Sequence, residues 1–213
     1  MLAAMDEALK VREFWFGKLP MSPEQLAKRM QLWFGSGLTQ QQRDALDASI
    51  RAQFEPLVQK AFAGELASWA DGPRRRLSLI LLLDQFPRHI YRGLPSSYAG
   101  DAQAQALALS GMQSGADAAL TPPERLFFYM PLQHSEARDV QDESVAAYRR
   151  LFMECPEPMK PVFAEALDAA ERHRTVIERF GRFPHRNEIL GRPGTPEEIA
   201  YLRDGGDDFS KPR

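Results

Sequence analysis

Residues 74–93 read RRRLSLILLLDQFPRHIYRG, and the interpretation of this stretch decides the fold class. The apolar run from Leu77 to Leu83 suits either a buried strand or a buried helix. No turn residues separate this run from the arginines before it or from Asp84 after it, and no alternating partner strand lies nearby in the sequence. The run therefore indicates a buried helix.

Helix start and stop signals on both sides of this stretch extend the prediction to an all-α chain. Ser22, Thr39, Thr121 and Thr195 are N-cap residues that precede runs of helical periodicity. Besides the stretch at residue 74, the predicted helices cover about residues 5–16, 23–34, 39–62, 101–114, 122–130, 139–152, 161–180, 186–190 and 195–202. Short connections between them predict antiparallel helix hairpins.

Chain length alone suggests one domain or two small ones, and it is ample for a continuous core. We expect a single all-helical domain over residues 1–204 and a polar, frayed tail over residues 205–213. The net charge of −2 and the pI of 6.1 argue against binding of nucleic acid or of an anionic membrane through general charge attraction. The sequence does not indicate an oligomeric state.

Cysteine content and hydropathy predict a cytoplasmic protein. Cys155 is the only cysteine, so a disulfide within the chain is impossible and a reducing compartment is expected. The N-terminal residues lack the pattern of a signal peptide. The longest apolar run, Leu79 to Leu83, is far too short to cross a bilayer.

The first polar segment that could carry chemistry follows the apolar run, at residues 83–93. Asp84, Arg88 and Arg92 are spaced four apart and would share one face of a continuous helix. Pro87 is expected to break the helix and to leave Asp84 at a helix end. Asp84 would then either serve a site or act as a structural partner of Arg88.

The second segment, residues 127–136, places Gln133, His134 and Glu136 directly after a very apolar helix. A histidine beside a carboxylate can act as a general base. The alternative is a histidine at a helix end that the backbone satisfies. No metal site is expected, because a lone His-x-Glu pattern is weak and the chain has no zinc-binding spacing of Cys and His.

The third segment runs from residue 171 to residue 192 and contains six arginines against three glutamates. Gly181 is placed to end a helix in the left-handed conformation. Pro184 is expected to start a new helix, whose free amides would favour an anion. Arg182, His185, Arg186 and Asn187 are the candidate ligand-binding residues here. The alternative is a solvated basic turn that pairs with acidic neighbours.

Nucleotide and nucleophile motifs are missing from the sequence. It contains no G-x-G-x-x-G, no P-loop and no G-x-S-x-G, and no cofactor is predicted.

Four short motifs, in order, resemble the bacterial family known as DUF924. They are Phe14-Trp15-Phe16-Gly17, the block Asp84 to Gly93, the run Tyr129 to Glu136, and Arg179 to Asn187 with Leu190-Gly191-Arg192. The resemblance implies a tetratricopeptide-like α-α superhelix, and it implies no function, because none is known for the family. Two departures are visible: His89 stands where the family is expected to have Asn, and residues 35–38 lack its charged stretch.

Three functional hypotheses remain open from the sequence. The leading one is a binding protein in which one polar pocket holds a small anionic ligand or a peptide carboxylate. Its candidate residues are Asp84, Arg88, Gln133, His134, Glu136, Arg182, His185, Arg186 and Asn187. The second is a hydrolase with His134 or His185 as the general base and Asp84 or Glu136 as its orienting group. The third is a structural protein whose polar motifs lock helix ends.

Overall fold

Helices account for the regular secondary structure of the computed structural model, which describes residues 6–35 and 37–210 and contains no strand within them. The α-helices are α1 (Glu7–Phe16), α2 (Pro23–Phe34), α3 (Gln40–Phe62), α4 (Pro73–Ile80), α5 (Phe86–Ile90), α6 (Asp101–Gln113), α7 (Pro122–Gln133), α8 (Arg138–Glu154), α9 (Lys160–Phe180) and α10 (Pro196–Arg203). The all-α prediction is confirmed. The predicted helix start at Met5 lies outside the described residues.

Capping boxes define several helix starts where the sequence placed them. The side chains of Ser22, Thr39 and Thr195 each accept a hydrogen bond from the backbone N–H three residues on, and the side chain of that later residue accepts one from the backbone N–H of the cap. At the start of α7, the backbone N–H of Thr121 donates to Glu124 at 2.9 Å. Local capping chemistry therefore fixes these boundaries without help from the rest of the fold.

The deciding stretch is helical from Pro73 to Ile90, and the prediction that Pro87 breaks it is wrong. A π-helical turn, Leu81–Gln85, joins α4 to α5. The wider turn moves Pro87, which has no N–H to donate, into the first turn of α5, where its missing donor is tolerated. Asp84 consequently lies inside a continuous helical stretch.

Helix α7 forms the centre of the core. Phe127, Phe128, Tyr129 and Leu132 on this helix are fully buried, and Trp33 of α2 packs edge-on against Phe127 with ring centroids 4.6 Å apart. Helix α8 packs along both α7 and α9. Side-chain contacts show that α8 runs antiparallel to both neighbours, so α7 and α9 run the same way, and the end of α7 lies beside His173 of α9.

A smaller apolar cluster lies beyond the main core, near the end of the described chain. It contains Val176, Ile177 and Phe183, and Phe209 packs against it. Phe209 belongs to the tail for which fraying was expected; that tail is described as far as Ser210, and residues 211–213 lie outside the described residues. None of the described helices is both long and apolar enough to cross a membrane.

Candidate functional site

A cavity of about 1000 Å³ lies between α2, α7, α9 and the loops at residues 92–98 and 205–210. Its polar end, as we call it, is lined by Arg88, His134, His173, His185 and Arg186. These five side chains come from α5, the end of α7, α9 and the turn at Pro184–Arg186. The fold therefore brings all three polar sequence segments to one place.

Asp84 is the hub beneath the polar end. Its side chain is 0% exposed and accepts hydrogen bonds from Gln85 at 2.5 Å and from Arg88 at 3.1 Å. His134 approaches the same carboxylate with Nδ1 at 2.6 Å from Oδ1. Because a carboxylate only accepts, Nδ1 of His134 carries the proton, and Nε2 is left with a lone pair.

A chain of alternating charges continues from Asp84 along the cavity wall. Arg88 also donates to Asp101 at 2.9 Å, and Asp101 lies 3.5 Å from Nη1 of Arg186. Both guanidinium groups lie over the ring of Tyr98, at 5.3 Å for Arg88 and 4.8 Å for Arg186. Asp101 is thus shared between two arginines and holds Arg88 more closely.

Arg186 is buried without a full set of partners. Its side chain is only 8% exposed, and its ion pair with Asp101 is too long for a hydrogen bond. Within residues 6–35 and 37–210, neither Nε of Arg186 nor Nδ1 of His185 has a hydrogen-bond partner. A buried polar atom without a partner is unfavourable, so these two atoms mark a part of the protein whose hydrogen-bonding capacity is incompletely satisfied.

Burial and neighbouring charges set the ionisation of the site. Burial opposes the charged form of Asp84, but His134 and Arg88 outweigh it and hold its pKa well below the usual value. Burial, reinforced by Arg88, lowers the pKa of His134. Burial lowers the pKa of His173 well below the usual value, and burial with Arg186 lowers that of His185 to about 4. These three rings are therefore neutral at pH 7.

Six of the nine candidate ligand-binding residues meet at this place. Arg88, Gln133, His134, His185 and Arg186 line the cavity. Asp84 does not line the cavity itself, but it accepts hydrogen bonds from Arg88 and His134, which do. His134 and His185 lie on the same cavity, as the hydrolase hypothesis requires, and Asp84 is the carboxylate that orients His134.

Glu136, Arg182 and Asn187 are not among the cavity-lining residues, so their expected place in the pocket is corrected. Glu136 accepts two bonds from Arg192, at 2.7 and 3.0 Å, and one from the backbone N–H of Phe183 at 2.8 Å. Arg182 and Asn187 both donate to Glu198. The Glu198 pairs tie the turn after α9 to α10, and Glu136 ties the same region to the end of α7. This agrees with the alternative of a basic turn that pairs with acidic neighbours.

The expected helix after Pro184 is also wrong. Pro184–Arg186 is a three-residue 3₁₀ turn, followed by further turns to Gly191. The amide of Phe183 is already bonded to Glu136, so this segment offers no array of free helix amides. Gly181 does end α9 in the left-handed conformation, with φ of +69°.

Several residues of the site were missed by sequence reasoning. Asp101 was read only as the start of a helix, and Tyr98 as part of a loop. His173 donates from Nδ1 to the carbonyl of Ala169 at 2.7 Å, and Phe209 stacks on its ring with centroids 3.5 Å apart. The excess of arginine around His173 was the signal for this region, but nothing local in the sequence indicated its partner in the tail.

A second charge group, partly exposed, lines the cavity away from the polar end. Asp47 accepts hydrogen bonds from His89 at 2.7 Å and from Arg92 at 2.7 and 3.0 Å. Burial opposes the ionisation of Asp47, but the bonds from His89 and Arg92 outweigh it and lower its pKa. This group therefore ties α3 to the end of α5, and its members are already paired.

No group of three or more potential metal-ligating His, Cys, Asp or Glu side chains occurs in the part of the chain that the structure describes.

Comparison with known proteins places the chain in a family. The family model described as "Bacterial protein of unknown function (DUF924)" matches residues 11–206. Among solved structures, the chain is similar to a protein of unknown function from Agrobacterium tumefaciens, with 34% identity and a TM-score of 0.75 over 93% of this chain and 97% of that one. No curated protein matches. The motif resemblance is confirmed, and the chain belongs to the DUF924 family.

Proposed function

We propose that the protein binds a small organic anion, a carboxylate or a phosphate, at the polar end of the cavity. The observation that carries this proposal is Arg186, a nearly buried guanidinium with an unpartnered Nε and a long ion pair to Asp101. A guanidinium has five N–H donors in a fixed fork that matches carboxylate and phosphate oxygens. An anion beside Arg186 would accept hydrogen bonds from this guanidinium and complete its set of partners.

The pairing of charges in the surrounding wall supports an anionic ligand, because it leaves Arg186 less closely paired than Arg88. Asp84 and Asp101 together balance Arg88 and Arg186, while the histidines are neutral at pH 7. Asp101 is held mainly by Arg88, and Glu136, which lies outside the cavity lining, is held by Arg192. The terminal carboxylate of a peptide is an alternative ligand of the same chemistry.

Calorimetric titration with acetate, inorganic phosphate and a short peptide tests the proposal. We expect Arg186→Gln to weaken the binding of the anion at least tenfold, because a charge-assisted pair inside a cavity is lost. Arg182→Gln is the matched control, because Arg182 pairs with Glu198 away from the cavity. Equal losses in the two variants, or no binding to the unmodified protein, would show that the site is misplaced.

A hydrolase is the second candidate, and the Asp84–His134 contact favours it. A buried carboxylate that orients a neutral histidine leaves Nε2 able to accept a proton from water. Arg186 would then face negative charge that develops on the substrate. Assays with activated carboxylic and phosphoric esters test this, and activity that survives in His134→Gln would reject His134 as the base.

The proposal also includes the arrangement of the helices, the cellular compartment and the class of partner. We take the helix hairpins to form a tetratricopeptide-like superhelix and the protein to be bacterial and cytoplasmic, with a small molecule as its partner rather than nucleic acid or a membrane. Support comes from the packing of α8 between α7 and α9 and from the unpaired, buried Cys155. Oxidation-state mapping of Cys155 in cells tests the compartment.

A further inference from the structure

We infer that the ligand is amphipathic: a monocarboxylate whose apolar chain lies along the cavity between α7 and α9. This inference rests on the proposed anion site and adds the substrate class. The cavity of about 1000 Å³ is at the upper end of the range for organic ligands, far larger than acetate or phosphate needs. The residues that line the rest of the cavity show what would fill that space.

Two parallel helices present matching stripes to the cavity. On α7 the lining residues Leu126 and Met130 precede His134 at helical spacing. On α9, Val162 and Ala166 precede His173 in the same way. The two histidine rings lie 6.4 Å apart between centroids, so the stripes share one polar end. Each stripe becomes apolar away from that end.

Helix α2 closes the apolar part of the cavity. Met30 and Phe34 line it, and Phe34 is 39% exposed, which is unusual for so large an apolar side chain. The ring of Phe34 stacks with that of Phe127 at 6.2 Å, so it is held in place while one part remains uncovered. Gln31 and Glu165 also line this part and are solvent-exposed.

The length of the apolar part of the cavity suits an alkyl chain. We call this part the apolar trough and define it by Met30, Phe34, Leu126, Met130, Val162 and Ala166. Leu126 and His134 are eight residues apart on α7, which corresponds to about 12 Å along a helix. A medium-length alkyl chain extends over a comparable distance. A carboxylate at Arg186 could therefore place its chain against the trough and cover the exposed part of Phe34.

A single negative charge fits the polar end better than a double charge. Asp101 lies beside Arg186 at 3.5 Å, and Asp84 is held through Arg88 on the same wall. A dianion would face both carboxylates at short range, while a carboxylate can take two donors of one guanidinium. This charge pattern selects a monocarboxylate head group for the ligand.

Titration of a series of straight-chain carboxylates by calorimetry tests the inference. Acetate, hexanoate and decanoate are compared below the concentration at which decanoate forms micelles, with 1-hexanol as the uncharged probe. We expect affinity to rise with each methylene group by up to about fourfold, since each buries apolar surface. Hexanol should bind more weakly than hexanoate, and Arg186→Gln should weaken the binding of every carboxylate.

Variants within α9 locate the chain. Ala166→Trp fills the trough and should remove the advantage of decanoate over hexanoate, while acetate binding persists. Ala164→Trp is the matched control, because Ala164 is exposed and does not line the cavity. If Ala166→Trp does not fold, as judged by circular dichroism, Val162→Asn serves instead and should lower decanoate affinity by making the trough polar.

The outcomes separate the inference from the proposed function. Equal affinities for acetate, hexanoate and decanoate, all dependent on Arg186, would overturn the chain-binding inference and leave the anion site standing. Decanoate binding that is unaffected by both Ala166→Trp and Val162→Asn would overturn it as well. Failure of every carboxylate and of phosphate to bind would overturn both.

Discussion

Asp84 connects the sequence motifs at the scale of single residues. Its carboxylate contacts Arg88, 4 residues further along the chain, and His134, 50 residues further along. The sequence spacing predicted the contact with Arg88, since the two are four apart on a helix. The contact with His134 could not be predicted, because no local pattern relates residues so far apart. Distant pairing of this kind depends on how the π-helical turn after α4 packs against α7.

Replacing Asp84 by alanine should destabilise the protein by about 3 kcal/mol, because a buried ion-pair network loses its central charge. Asp168→Ala is the matched control, since Asp168 pairs with Arg172 on the surface and should cost less than about 1 kcal/mol. Urea unfolding measured by circular dichroism gives both values. Similar losses in the two variants would show that the buried network contributes little to stability.

The π-helical turn at Leu81–Gln85 is the element that sequence reasoning missed. Capping boxes were predictable because each depends on residues three apart, as in Ser22 and Gln25. A π-helical turn instead depends on what surrounds it: the carbonyl of Leu83 comes close to Gly100, which belongs to a different segment. Pro87 does interrupt the regular α-helical hydrogen bonding, but the chain accommodates it with a π-helical turn instead of ending the helix.

Gly100→Ala should therefore destabilise the fold by about 2–3 kcal/mol, as overpacking of a core does. A Cβ atom at this position would lie 2.3 Å from the carbonyl oxygen of Leu83 and 2.9 Å from the ring of Phe62. Gly72→Ala is the control, because a Cβ there meets nothing within 4 Å and the backbone is extended. Thermal unfolding compares them, and equal melting temperatures would contradict the close approach.

Neutral buried histidines give the whole molecule a pH-dependent stability. His134, His173 and His185 have lowered pKa values in the folded state, so they take up protons on unfolding. The unfolded state then binds more protons below about pH 6.5, and stability falls as the pH decreases towards 4. This direction follows from burial and needs no ligand.

His185→Gln should reduce the loss of stability between pH 7 and pH 5 by up to about 2 kcal/mol, because one of the buried groups no longer titrates. Urea unfolding at the two pH values, for the unmodified protein and the variant, gives the difference. An unchanged pH dependence in the variant would mean that His185 is protonated as easily in the folded state as in the unfolded state.

Whether the three polar segments meet could be predicted from the sequence, but which of their side chains line the cavity could be predicted only in part. Three polar segments were expected to meet, and they do so through Asp84, His134 and Arg186. Glu136 and Arg182 were assigned to the pocket because they neighbour true lining residues in sequence. In an irregular turn, adjacent side chains point in different directions, so proximity along the chain could not separate pocket residues from those that brace the turns after α9.

The stacking of Phe209 on His173 has a consequence for the order in which the molecule is assembled. Core residues between Ala8 and Ala170 can pack before residues 205–210 leave the ribosome, because chains fold from the N-terminal side during synthesis. The polar end gains its Phe209 wall only afterwards. The nascent protein therefore passes through a stage in which its helices are packed and its cavity is still open on one side.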